Sequence, residues 1–128
     1  MDNAATRAFF APGNKYRVSQ FLATSFERTV AQRFARSAWM AGPSNARVVW
    51  RVELDPARGC DHVNFVTETH VAGESEFLFA AFSAFEVVQV QWSATPQEPA
   101  TPHEITIRAA ADNKDPEFSE ELPLAPWC

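Results

Sequence analysis

Apolar residues fall at alternate positions over residues 47–54, where Val48, Trp50, Val52 and Leu54 share one face of a strand. Residues 16–24 are rich in aromatic and β-branched side chains and read as a short strand, after a turn at Ala11-Pro12-Gly13-Asn14. The period then changes. Val30, Phe34, Ala38 and Met40-Ala41 approximate a helical stripe, which predicts one main helix over about residues 26–41. Thr24 or Ser25 caps it and Gly42-Pro43-Ser44-Asn45 ends it. Beyond a turn at residues 55–59, strand character returns at 63–66, 74–79, 85–92 and 103–109. Residues 67–73 read as a loop, 80–84 as a turn and the Pro-rich 95–102 as a surface connection. One helix with five or six strands predicts an α+β domain with a mixed, mostly antiparallel sheet. It covers residues 1–111; residues 112–128, acidic and Pro-rich, are expected as an extended tail.

At 128 residues and 46% hydrophobic content, the chain suits one domain with a real core, and most of its 11 Phe belong there. The formal net charge of −5 argues against a general nucleic-acid binder, because that affinity needs clustered Lys and Arg. No apolar run approaches the roughly 20 residues of a membrane span, and the first residues lack a signal-peptide pattern. Cys60 and Cys128 are too few for a disulfide framework, so a reduced, cytoplasmic chain is expected. Cys60, His62, His70 and His103 lack zinc-ligand spacing, and no metal is expected. Four Gly provide no phosphate-cradling loop.

Glu74-Ser75-Glu76 stands where a loop enters the apolar run 77–82. On a strand, residues two apart point the same way, so both carboxylates project into one small region. Like charges that close repel unless a cation lies beside them. A bound cationic substrate would relieve the repulsion, and a solvated strand entrance is the alternative.

Other segments add to the doublet. Phe21-Leu22-Ala23-Thr24-Ser25, followed by a helix with Ala31, Phe34 and Ala35, resembles the Ser-Thr-Ser segment of the arginine-type mono-ADP-ribosyltransferases. Residues 74–79 and Phe85-Glu86-Val87-Val88 are similar to that family's Glu-x-Glu strand and the strand after it, and residues 103–107 resemble its closing strand. Order and spacing agree over residues 9–109. The resemblance implies an ADP-ribosyltransferase-like fold and transfer of ADP-ribose from NAD, a consumed substrate, to an arginine of a protein acceptor. It casts Glu76 as the carboxylate that stabilises the oxocarbenium-like centre and holds a ribose hydroxyl. Glu74 then orients or deprotonates the acceptor guanidinium. Thr24 and Ser25 lie across the cleft and position Glu76 or NAD. Residues 65–73 match the loop that faces the acceptor, and Phe65, read as part of a polar loop, is the candidate to stack on a ligand.

Two positions depart from the pattern. Ala23 stands where the family has its first Ser, and Ala offers no hydroxyl. No clear strand leads into Arg7, the nearest candidate for the family's phosphate-gripping Arg. The first strand-helix segment is therefore expected to be missing. A sheet edge exposed by that loss would favour a homodimer. The same residues support a second reading, a non-catalytic interaction module of this fold, and a third, a structural domain with the doublet on its surface.

Overall fold

The structure, a computed structural model, describes residues 2–20, 22–25, 28–30, 46–54, 57, 63–65, 76–111, 117–118 and 121–126. A short helix, α1 (Ala4–Ala8), precedes the strands β1 (Lys15–Val18), β2 (Leu22–Ser25), β3 (Val48–Glu53), β4 (Val63–Phe65), β5 (Glu76–Phe79), β6 (Ser83–Gln91) and β7 (His103–Ala109). Among the described residues they form two sheets, one ordered β1-β6-β7-β3 and the other β2-β5-β4. Among the described strands the β3–β7 pair is parallel and the other pairs are antiparallel, so the four-stranded sheet is mixed and the pairing mostly antiparallel, as the sequence pattern implies.

One ladder joins the two sheets. β1 pairs with β6 and ends at Val18 opposite Ser83; β2 pairs with β5 and begins at Leu22 opposite Phe79. Three residues on each strand separate these pairs, 19–21 on one and 80–82 on the other, so the register is the same on both sides of the interruption. At this corner the Phe82 N–H donates to the Val18 carbonyl (2.7 Å) and the Ser83 hydroxyl to the Ala80 carbonyl (2.6 Å). Phe82 takes a left-handed φ of 62° and is 53% exposed. The Phe79 and Phe85 rings meet edge to face at 5.3 Å and pack the two sheets together across the corner.

Residues 16–24, read as one strand, are thus two strands in different sheets. Both halves are extended, so alternation cannot reveal the bend at Ser19-Gln20 between them. The turn expected over 80–84 is shorter, and Ser83 already belongs to β6. Within the expected helix 26–41, only residues 28–30 are described, and they are helical; the rest lies outside the described residues. The helix α1 was not anticipated. Asn3 caps it, its side-chain oxygen accepting from the Thr6 N–H at 2.9 Å. No helix among the described residues is long and apolar enough to cross a membrane.

The core lies on one face of the four-stranded sheet. Along β7, His103, Ile105, Ile107 and Ala109 are buried in strict alternation. Phe10, Tyr16, Val18, Phe85 and Val87 complete the layer, and Phe79 extends it into the second sheet. Trp50, Val52 and Leu54 pack against it as their shared face implies, whereas Val48 is exposed. Each fully buried Phe or Ile contributes about 1.5–3 kcal/mol. A bulge between Val87 and Gln89 shifts the alternation, so that Val90 rather than Gln89 packs against the core, and Val88 is exposed.

The described C-terminal residues lie against the sheet. Phe118, only 3% exposed, packs with Ala84, Ala110 and Leu122. Further on, Leu124 makes a parallel bridge to Arg17 on the outer edge of β1, and Ala125 joins the main core.

The left-handed backbone at Phe82 generates a prediction. Gly meets no Cβ penalty there, while Ala keeps a cost of about 1–2 kcal/mol. Phe82→Gly should therefore be more stable than Phe82→Ala by about 1 kcal/mol in urea unfolding, the reverse of the usual order for these residues.

Candidate functional site

β2 and β5 place the two candidate segments side by side. Ser25 lies directly opposite Glu76, Thr24 opposite Phe77 and Ala23 opposite Leu78. Opposed residues of an antiparallel pair have Cα atoms about 4.5–5.5 Å apart. The hydroxyl residue at the level of Glu76 is therefore Ser25. Ala23 lies two pairs away, so its missing hydroxyl falls at a different level of the ladder. Thr24 and Ser25 are half-buried and end β2. Glu74 lies outside the described residues.

Phe65 is the last residue of β4, opposite Phe77. It belongs to the sheet that carries Glu76 rather than to a loop; residues 66–75 lie outside the described residues. Among the described residues, no group of three or more His, Cys, Asp or Glu is arranged to hold a metal ion.

Arg7 is elsewhere and engaged. On α1, its Nε donates to Asp2 Oδ1 at 2.7 Å and its Nη2 to Oδ2 at 3.0 Å, a fork on one carboxylate. The guanidinium also lies over the Trp92 ring, 4.7 Å from its centroid. Asp2 Oδ2 meets Nε2 of the buried His103 at 2.9 Å, and His103 Nδ1 accepts from the Ser93 N–H at 2.9 Å. Because Nδ1 accepts, Nε2 carries the proton and donates to Asp2. The Arg7 bond, then the His103 bond, hold the Asp2 carboxyl well below the usual carboxylate range; Asp2 in turn holds the Arg7 guanidinium above its ordinary value. Trp92 lies nine residues along from Ser83, about 30 Å of strand from the corner. The fold thus brings together Thr24, Ser25 and Glu76, and leaves Arg7 at the other end of β6.

Arg17 was not among the candidate site residues. It is 8% exposed on β1, and its Nη1 donates to the Phe82 carbonyl at 3.0 Å, on the corner between the sheets. Its signal was a charge flanked by Tyr16 and Val18 inside a strand.

This arrangement of two sheets is similar to the fold of solved ADP-ribosyltransferases. Vis toxin, an ADP-ribosyltransferase from Vibrio splendidus, matches with a TM-score of 0.59 and 18% identity over 84% of this chain and 43% of that one. The Vis structure in complex with the M6 inhibitor matches at 0.61 and 18%, over 84% and 44%. The Vis complex with agmatine matches at 0.57 and 19%, over 84% and 44%. The chain spans less than half the length of these proteins. No protein-family model and no curated protein matches the sequence.

Asp2 ties α1 to β7 only while ionised. Its carboxyl is depressed in the folded state, so its stabilisation is present above the unfolded value, about pH 4, and is lost as pH falls toward the folded one. Asp2→Asn should cost about 1 kcal/mol at pH 7, and the difference from wild type in denaturant midpoint should shrink steadily below about pH 4.

Proposed function

We propose that this domain transfers ADP-ribose from NAD to a guanidinium nitrogen of an arginine side chain. The observation that carries the reading is the register of Ser25 opposite Glu76 within an ADP-ribosyltransferase-like fold. In this reaction the bond between nicotinamide nitrogen and ribose C1′ breaks, and the electron pair leaves with nicotinamide. Positive charge develops at C1′ and the ring oxygen, where the Glu76 carboxylate stabilises it and holds a ribose hydroxyl. Ser25, at the same level of the ladder, orients that carboxylate through its hydroxyl. A guanidinium nitrogen then bonds to C1′ and its proton passes to Glu74. Agmatine, bound in one of the similar structures, carries the same guanidinium and supports an arginine acceptor. NAD is consumed rather than recycled.

One observation favours the interaction-module reading instead. Arg7, the expected phosphate-gripping residue, is committed to Asp2 and Trp92. The two readings part in a single assay of the purified chain with NAD and agmatine. Transfer predicts nicotinamide release and ADP-ribosyl-agmatine detectable by mass spectrometry, with Glu76→Gln slowing release about 10²–10³-fold. Release unaffected by Glu76→Gln would remove Glu76 from the chemistry. Neither release nor a rise in melting temperature with NAD would leave the module.

A further inference from the structure

We propose that Arg17 is a positioning residue for the Ser25–Glu76 pair, clamped from the outer edge of β1 by the C-terminal segment. The proposal rests on the functional reading above for its kinetic consequence, though its structural part stands without it. A buried guanidinium is costly unless its donors are bonded, and the donor Nη1 goes to the Phe82 carbonyl. Phe82 is therefore tied to β1 by both its backbone groups, its N–H through the Val18 carbonyl and its carbonyl through the Arg17 side chain. Phe82 is also the residue with the left-handed φ of 62°, a conformation that persists only where its surroundings enforce it.

Among the described residues, this corner is the break in the ladder that sets the site. Two residues, Ala80 and Ala81, separate Phe79 from Phe82, and Phe79 ends the strand that begins at Glu76. The position of the corner therefore sets where β5 enters against β2, and hence the fit between Glu76 and Ser25. Arg17 is held from the other side as well. Its N–H donates to the Pro123 carbonyl at 2.9 Å, and its carbonyl accepts from the Ala125 N–H at 2.8 Å. Phe118 anchors the same segment beneath two cations, Lys15 at 5.1 Å and Arg108 at 5.6 Å from its ring centroid. Lys15 Nζ also donates to the Glu117 carbonyl at 2.7 Å, and Arg108 pairs with the Glu117 carboxylate at 3.2 Å. The C-terminal segment thus fixes the backbone of Arg17 while its side chain fixes the corner.

The test compares wild type with Arg17→Met, Arg17→Lys and Ala125→Pro in the full chain, by amide hydrogen exchange and by NAD cleavage. Arg17→Met should lose protection in β2 and β5 while β6 and β7 keep theirs. Its kcat should fall about 10–100-fold with KM unchanged, the signature of misplaced reacting groups. Arg17→Lys should recover part of both, since an ammonium can donate to the Phe82 carbonyl without the fork. Ala125→Pro deletes the amide donor to Arg17 while leaving the Arg17 side chain in place, and should shift exchange in the same strands more weakly. If Arg17→Met fails to fold, the other two variants carry the comparison. Exchange that rises equally in all strands, or not at all, overturns the proposal, as does an unchanged kcat in folded Arg17→Met. A wild type that cleaves no NAD defeats the functional reading, and the exchange pattern still decides the role of Arg17.

Discussion

The antiparallel ladder that runs from β1–β6 into β2–β5 is the constraint on which the rest depends. Its register does not change across the corner, so the pairing of Lys15 with Glu86 at one end already implies the pairing of Ser25 with Glu76 at the other. A slip of one residue would turn Phe79 and Phe85 out of the core, where their edge-to-face contact closes the joint between the sheets. Core packing and site geometry are therefore set by one quantity. This is how a small chain can hold two facing segments in place: the apolar residues that stabilise the fold also fix the level at which a hydroxyl meets a carboxylate position.

Charges are arranged around this ladder according to what they hold. Asp2, Arg7 and His103 close the far end, beside Trp92 and away from the corner. Arg108 bridges Glu86 at 2.6 Å and Glu117 at 3.2 Å, joining β6, β7 and the C-terminal segment; Glu86 foremost, with Glu117, raises the Arg108 guanidinium above its ordinary value. Half-exposed pairs of this kind contribute little each, about 0.2–1 kcal/mol. Their effect is to select which segments lie together. Arg17 differs from them because it is buried and bonds a backbone carbonyl at the corner where the ladder is interrupted.

Much of this was legible in the sequence. Alternation gave β7 its observed limits, because that strand buries one side against a continuous core; for β3 it gave Trp50, Val52 and Leu54, while Val48 is exposed and Val49 on the other face is buried. The candidate pairing was legible only as a resemblance; the level at which Ser25 meets Glu76 came from register, which no single strand records. The break between Val18 and Leu22 was hidden because a ladder can bend without losing its alternation. The role of Arg17 was hidden for the same reason, since the group it bonds at the corner is a backbone carbonyl 65 residues away. The engagement of Arg7 with Asp2 and Trp92 was hidden because these residues come together only on folding. The bulge at Val88 and the buried Phe118 likewise depend on neighbours distant in sequence.

The central claim is the register itself, and backbone proton contacts by NMR test it most directly. The account predicts cross-strand contacts between Ser25 and Glu76 and between Val18 and Ser83 in the same spectrum. A contact pattern that sets Ala23 opposite Glu76, or that joins the two halves of the ladder with a shift between them, would contradict it.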